Sequence, residues 1–119
     1  DGHARASVPA GAIMVRPKEG ATHPQDGDGV GDARLLVGEG AAFYPQELAV
    51  SRREYADYFR HVQDEWVYVT LGEIEVDLGE GSVVGLRKGD SLYYAGGIPH
   101  RWRLTGPDIA HLIVVQASL

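Results

Sequence analysis

From Glu47 onward the chain is written in short runs rich in Val, Ile, Tyr and Trp, separated by glycine or proline turns: ELAVSRR, EWVYVTL, EIEVDL, SVVGLR, SLYYA, HRWRL and AHLIVVQ. Runs of this kind at a spacing of roughly 8 to 12 residues predict an all-β sandwich or barrel. Helical periodicity is weak; the best stretch, Glu54 to His61, is too short to stand as a helix by itself. Upstream, Ala12–Arg16 is β-branched in part and stopped by Pro17, which predicts an edge strand. Residues 20–40 hold six glycines and read as a long loop, relieved by a short strand at Ala33–Val37. Residues 1–11 are expected to form a flexible tail and residues 12–119 a single domain.

Strand parity sorts the side chains. In Glu73–Leu78, Ile74, Val76 and Leu78 face one way and Glu73, Glu75 and Asp77 the other, the pattern of a strand with one wet face. On the preceding strand Val67, Val69 and Leu71 form the apolar set, and Glu65 falls on that same side. A carboxylate turned into a core is costly unless it is paired or bound to a cation. His100 repeats the oddity, sharing a face with Trp102 and Leu104 opposite Arg101 and Arg103. His61, four residues before Glu65, joins the same side if that strand runs back far enough. Two imidazoles and a carboxylate suit a divalent transition metal such as iron, manganese, nickel, cobalt or zinc, with positions left for water or substrate. Glu65 and His100 paired with each other, or with arginines, in a metal-free core is the alternative.

Length and composition narrow the function classes. At 119 residues, 44% apolar and 24% charged, the chain is the size and composition of one ordinary globular domain. A formal charge of -6 argues against direct nucleic-acid binding. The absence of cysteine excludes disulfides, thiolate zinc sites and cysteine nucleophiles, so a metal must rest on His and carboxylate ligands. No apolar run reaches the length of a membrane span and Asp1–Ala12 lacks the pattern of a signal peptide, so a cytoplasmic location without membrane contact is expected. Asp26, Asp28 and Asp32 read as a solvated loop, since DGDGVGD lacks the glutamate that completes an EF-hand. His3 and His23 are expected in solvent, and His111 as an ordinary strand histidine in a set with Ile113 and Val115.

The segment H-V-Q-D-E-W-V-Y-V-T-L-G, from His61 to Gly72, resembles the first motif of the cupin superfamily, G-x5-H-x-H-x3-4-E-x6-G. His61 takes the second histidine, Glu65 the glutamate and Gly72 the closing glycine. The second motif, G-x5-P-x-G-x2-H-x3-N, is matched over Gly89–Leu104 by Gly89, Gly97 and His100. The likeness extends over Leu48–Gln116. Phe59 stands at the first histidine, Ala95 at the proline and Leu104 at the asparagine. Within the superfamily the wording is similar to the C-terminal sensor domains of helix-turn-helix regulators and to the cupin domain of hydroxypropylphosphonate epoxidases. The resemblance implies a double-stranded β-helix, or jelly-roll barrel, with a metal on His61, Glu65 and His100. Its pocket would be lined from among Tyr55, Tyr58, Phe59, Tyr94 and Trp102, with Arg52 or Arg53 for an anionic group. A metal-dependent dioxygenase, isomerase or lyase acting on a small metabolite, and a ligand-sensing module without turnover, both fit. The family usually pairs, so a homodimer is expected, with Ala12–Arg16 as the edge a partner sheet would cover.

Overall fold

Seven of the nine strands among the described residues form where the alternating runs predict them. A computed structural model describes residues 8–24 and 32–117. The strands are β1 (Thr22–Pro24), β2 (Asp32–Leu35), β3 (Tyr44–Val50), β4 (Glu65–Leu71), β5 (Glu73–Asp77), β6 (Val83–Arg87), β7 (Ser91–Tyr94), β8 (Arg101–Leu104) and β9 (Ala110–Gln116). All pairings are antiparallel, in a six-stranded sheet ordered β1-β2-β3-β9-β4-β7 and a three-stranded sheet ordered β6-β5-β8. The two sheets face each other across one core, as in a jelly-roll double-stranded β-helix. No helix among the described residues is long and apolar enough to cross a membrane.

The core is the sum of the inward sets. Leu48, Val50, Val67, Val69, Leu112 and Val114 come from the larger sheet, and Ile74, Val76, Leu86, Trp102 and Leu104 from the smaller. Each fully buried Val, Ile or Leu contributes about 1.5–3 kcal/mol, so the pattern locks the register strand by strand. One position departs from the parity reading. A bulge between Val69 and Leu71 turns Leu71 out, 51% exposed. Gly72 follows with a φ of 85°, and a Cβ there would lie 2.8 Å from Ala110 Cα, so this tight turn between β4 and β5 requires glycine.

Asp77 keeps the outward side that parity gives it but is not wet, being 5% exposed. It is buried because the segment before β4 folds over the outside of β5 and β8. Tyr58 donates to Asp77 Oδ2 at 2.7 Å, Arg101 reaches the same oxygen at 2.8 Å, and the Gly79 N–H caps Oδ1 at 2.9 Å. Arg101 in turn lies 4.1 Å from the Tyr58 ring centre and 4.6 Å from that of Tyr55.

The N-terminal third differs most from expectation. Ala12–Arg16 is not a strand: Ala12 N–H closes a turn onto Pro9 O, and the place beside β2 is taken by β1. The expected docking edge at Ala12–Arg16 therefore has no strand behind it. The loop expected over 20–40 contains β1 and β2, and the second of these ends at Leu35 rather than Val37. Of the expected tail, residues 1–7 lie outside the described residues, as do His3, Asp26, Asp28 and the side chains of His23 and Asp32. His111 is exposed on β9, opposite in facing to Leu112 and Val114.

Candidate metal centre

His61, Glu65 and His100 meet at one end of the barrel, with one ligand atom from each lying within 4.8 Å of the others. Glu65 opens β4 and faces inward, 2% exposed, and His100 precedes β8 at 0%. His61 arrives differently from its parity reading. Strand β4 begins at Glu65, so His61 sits on the loop before it, held by Gly97 N–H to His61 O at 2.7 Å. Gly96 N–H to Asp64 Oδ1 at 2.7 Å fixes the same turn, and a Tyr93–Asp64 hydrogen bond ties it to β7.

The two imidazoles are held in one tautomer. His61 Nδ1 lies 3.0 Å from Gln63 O and His100 Nδ1 lies 3.2 Å from Ile98 O. A carbonyl oxygen only accepts, so each Nδ1 carries the hydrogen and Nε2 is left as the ligand atom of each ring. Both Nε2 atoms turn to Glu65, at 3.2 Å from His61 to Oε1 and 3.7 Å from His100 to Oε2. The His61 Nε2–Glu65 Oε1 contact is within hydrogen-bond reach and requires a proton or a cation between the two atoms. His100 Nε2 is fully buried and has no hydrogen-bond partner. An orphaned acceptor of this kind costs about 1–3 kcal/mol.

These residues fit a metal. Two ligand atoms bound side by side at about 2.1 Å from one ion lie about 3 Å apart, close to the two imidazole–carboxylate distances. The pinned Nδ1–H groups are the outer-sphere contacts that metal-binding histidines show. The protonation states agree as well. Burial pushes the Glu65 carboxyl up, but hydrogen bonds from His61, Gln116 and Tyr94 and the nearby His100 outweigh it and hold it below the usual carboxylate range. Burial pulls His100 below the ordinary imidazole value, against the opposing pull of Glu65 and the Ile98 carbonyl. An ionised carboxylate and a neutral imidazole are the ligand forms a metal requires.

Three residues of the pocket reading surround this centre. The Phe59 ring meets both imidazoles edge-on, its centre 5.6 Å from His61 and 5.9 Å from His100. Tyr94 donates its hydroxyl to Glu65 Oε2, and its ring lies 4.8 Å from that of His100. Trp102 is buried with its ring centre 6.2 Å from His100. The others lie elsewhere. Tyr55 and Tyr58 pack on the outer face of β5 and β8, bonded to Glu75 and Asp77, and Arg53 reaches Pro107 O at 3.4 Å; Arg52 is exposed, with its backbone O accepting from Leu104 N–H. Two site residues escaped the sequence reading: Gln116 Nε2 donates to Glu65 Oε1 at 2.7 Å, and Gln46 Nε2 donates to Gln116 Oε1 at 3.3 Å. Parity with Leu48 and Val50 marks Gln46 as inward, and parity with Leu112 and Val114 marks Gln116.

The profile of the cupin domain matches residues 47–116. The chain belongs to the cupin family. Among curated protein sequences none matches it. Among solved structures this cupin is similar to Fe(II) HppE, at 22% identity and a TM-score of 0.74, over 92% of this chain and 62% of that one. It is also similar to the polyketide cyclase RemF from Streptomyces resistomycificus, at 20% identity and a TM-score of 0.72, over 88% of this chain and 78% of RemF. An RmlC-like cupin from Shewanella frigidimarina aligns at 17% identity and a TM-score of 0.66, over 87% of each chain. At these identities the likeness is one of fold, and the chain spans only 62% of the HppE chain.

Proposed function

We propose that this cupin holds one divalent transition metal, iron, manganese, nickel or zinc, on His61, Glu65 and His100. The three ligands would leave the remaining coordination positions to a small oxygenated or acidic metabolite. The observation that carries the reading is His100 Nε2: buried, without a hydrogen-bond partner, and turned to a carboxylate that His61 Nε2 also contacts. The Fe(II) form of HppE, a cupin-fold neighbour, supports iron among the candidates.

A metal bound here supplies Lewis-acid or redox chemistry to the group that joins it. The chain's own residues do the rest. The Gln63 and Ile98 carbonyls orient the two rings through their Nδ1–H groups. Tyr94 and Gln116 hold the two carboxylate oxygens of Glu65. Phe59 sets an apolar wall on the side where the family's first histidine would stand, which leaves one position more open to an incoming ligand. Tyr94 and Trp102 keep bulk water from the inner face of His100.

That same Phe59 favours a second reading, a ligand-sensing cupin that binds its metabolite without turnover. Elemental analysis of protein purified without a chelating column, beside Glu65→Ala, tests the metal. The expected result is near one equivalent in the wild type and none in the variant; full occupancy in Glu65→Ala removes the reading. Incubation of the loaded protein with small hydroxy and keto acids, followed by product analysis, separates enzyme from sensor.

A further inference from the structure

Gln46 is the one polar residue in the inward stripe it shares with Leu48 and Val50, and it is 1% exposed. A leucine or methionine would bury there at a gain, whereas a buried amide costs free energy wherever an end goes unpaired. One end does: Gln46 Oε1 is buried with no hydrogen-bond partner. Its other end donates to Gln116 Oε1 at 3.3 Å, and Gln116 Nε2 donates to Glu65 Oε1 at 2.7 Å. The three residues sit on adjacent strands β3, β9 and β4. Gln116 stands opposite Glu65 in the register, and Gln46, opposite Val114, is its diagonal neighbour.

The direction of both amides follows from the ionised end. A carboxylate only accepts, so Gln116 must turn its NH2 to Glu65 and its oxygen back toward β3. Gln46 must then present its own NH2 to that oxygen, which leaves Gln46 Oε1 as the loose end. The polarity of the chain is thus set from Glu65 outward, and the unmet acceptor is placed as far from the carboxylate as the chain allows.

We propose that Gln46 and Gln116 are positioning residues that fix Glu65 for the metal, Gln116 by holding Oε1 and Gln46 by holding Gln116. The inference rests on the metal reading of His61, Glu65 and His100. With Oε1 gripped from β9 and Oε2 gripped by Tyr94, the carboxylate plane cannot turn relative to the two Nε2 atoms. The unpaired Gln46 Oε1 shows that the arrangement is kept at the expense of stability, as happens where a site rather than a core is being served.

The test loads metal-free wild type, Gln116→Met, Gln46→Met and the double variant with Co(II), and reads affinity by chelator competition and ligand field by visible absorption. Gln116→Met is expected to bind 10- to 100-fold more weakly with shifted bands, the range seen when an outer-sphere partner is lost. Gln46→Met is expected to weaken binding less, and to add nothing in the Gln116→Met background. Urea unfolding of the metal-free proteins is expected to show Gln46→Met at least as stable as wild type, which a merely structural role would not allow. Wild-type affinity and spectrum in Gln46→Met overturn the proposal, and that variant decides alone if Gln116→Met fails to fold. A wild type that takes up no Co(II) overturns the metal reading, and the relay with it.

Discussion

Phe59 and His100 are joined by two backbone hydrogen bonds, Phe59 N–H to His100 O at 2.8 Å and His100 N–H to Phe59 O at 2.9 Å. This bridge sits outside the named strands and sets the phenyl ring against both imidazoles. The backbone is therefore already placed to deliver a fourth ligand from position 59, and only the side chain withholds it. Phe59→His is expected to tighten metal binding by about tenfold or more and to close one coordination position to exogenous ligands. Chelator competition and azide titration of the loaded protein measure both effects. Unchanged affinity would show that position 59 does not point into the coordination sphere.

Gly96 is where the loop carrying His61 is clamped. A Cβ there would stand 1.9 Å from Val62 O, so Gly96→Ala must push the 61–64 segment away. The affinity of the site is expected to fall by at least tenfold while the strands, whose core is untouched, keep their far-UV circular dichroism. Retention of full affinity would mean that His61 is not a ligand or that the loop yields without moving it.

How far the sequence reaches is clearest at these positions. Glu65 and His100 were legible because a strand alternates with period two, so one inward polar residue stands out against Val67 and Val69 or Trp102 and Leu104. His61 was found by extending that parity past the strand's true start; a loop hydrogen bond from Gly97, which no alternation encodes, puts it in place. Asp77 obeyed parity and yet is buried, because what covers the outer face of β5 comes from the irregular segment around Tyr55 and Tyr58. Ala12–Arg16 has strand composition and no strand, since pairing depends on which segment reaches β2, and that is β1.

Asp77 gives the protein a pH dependence separate from the metal. Burial raises its carboxyl, but hydrogen bonds from Tyr58 and Gly79 and the Arg101 guanidinium overcome this and hold it below the usual carboxylate range. A group depressed in the fold stabilises it fully above its unfolded value, about 3.9, and loses that contribution as pH falls through the folded value. Asp77→Asn is expected to lower stability by about 1–3 kcal/mol near pH 7. The gap between variant and wild-type urea midpoints should narrow below about pH 4. A gap that stays constant down to pH 3 would show that the carboxylate charge is not what Tyr58 and Arg101 recognise.

The central claim is that two imidazoles, each protonated at Nδ1, and one carboxylate bind a single metal. Proton NMR of the Co(II)-loaded protein in H2O tests it most directly. The account predicts saturation at one equivalent and two exchangeable, strongly shifted resonances from the Nδ1–H groups of His61 and His100, sheltered by Gln63 and Ile98. One of the two should vanish in each of His61→Ala and His100→Ala. Saturation without shifted exchangeable signals, or no uptake of Co(II) at all, would contradict it.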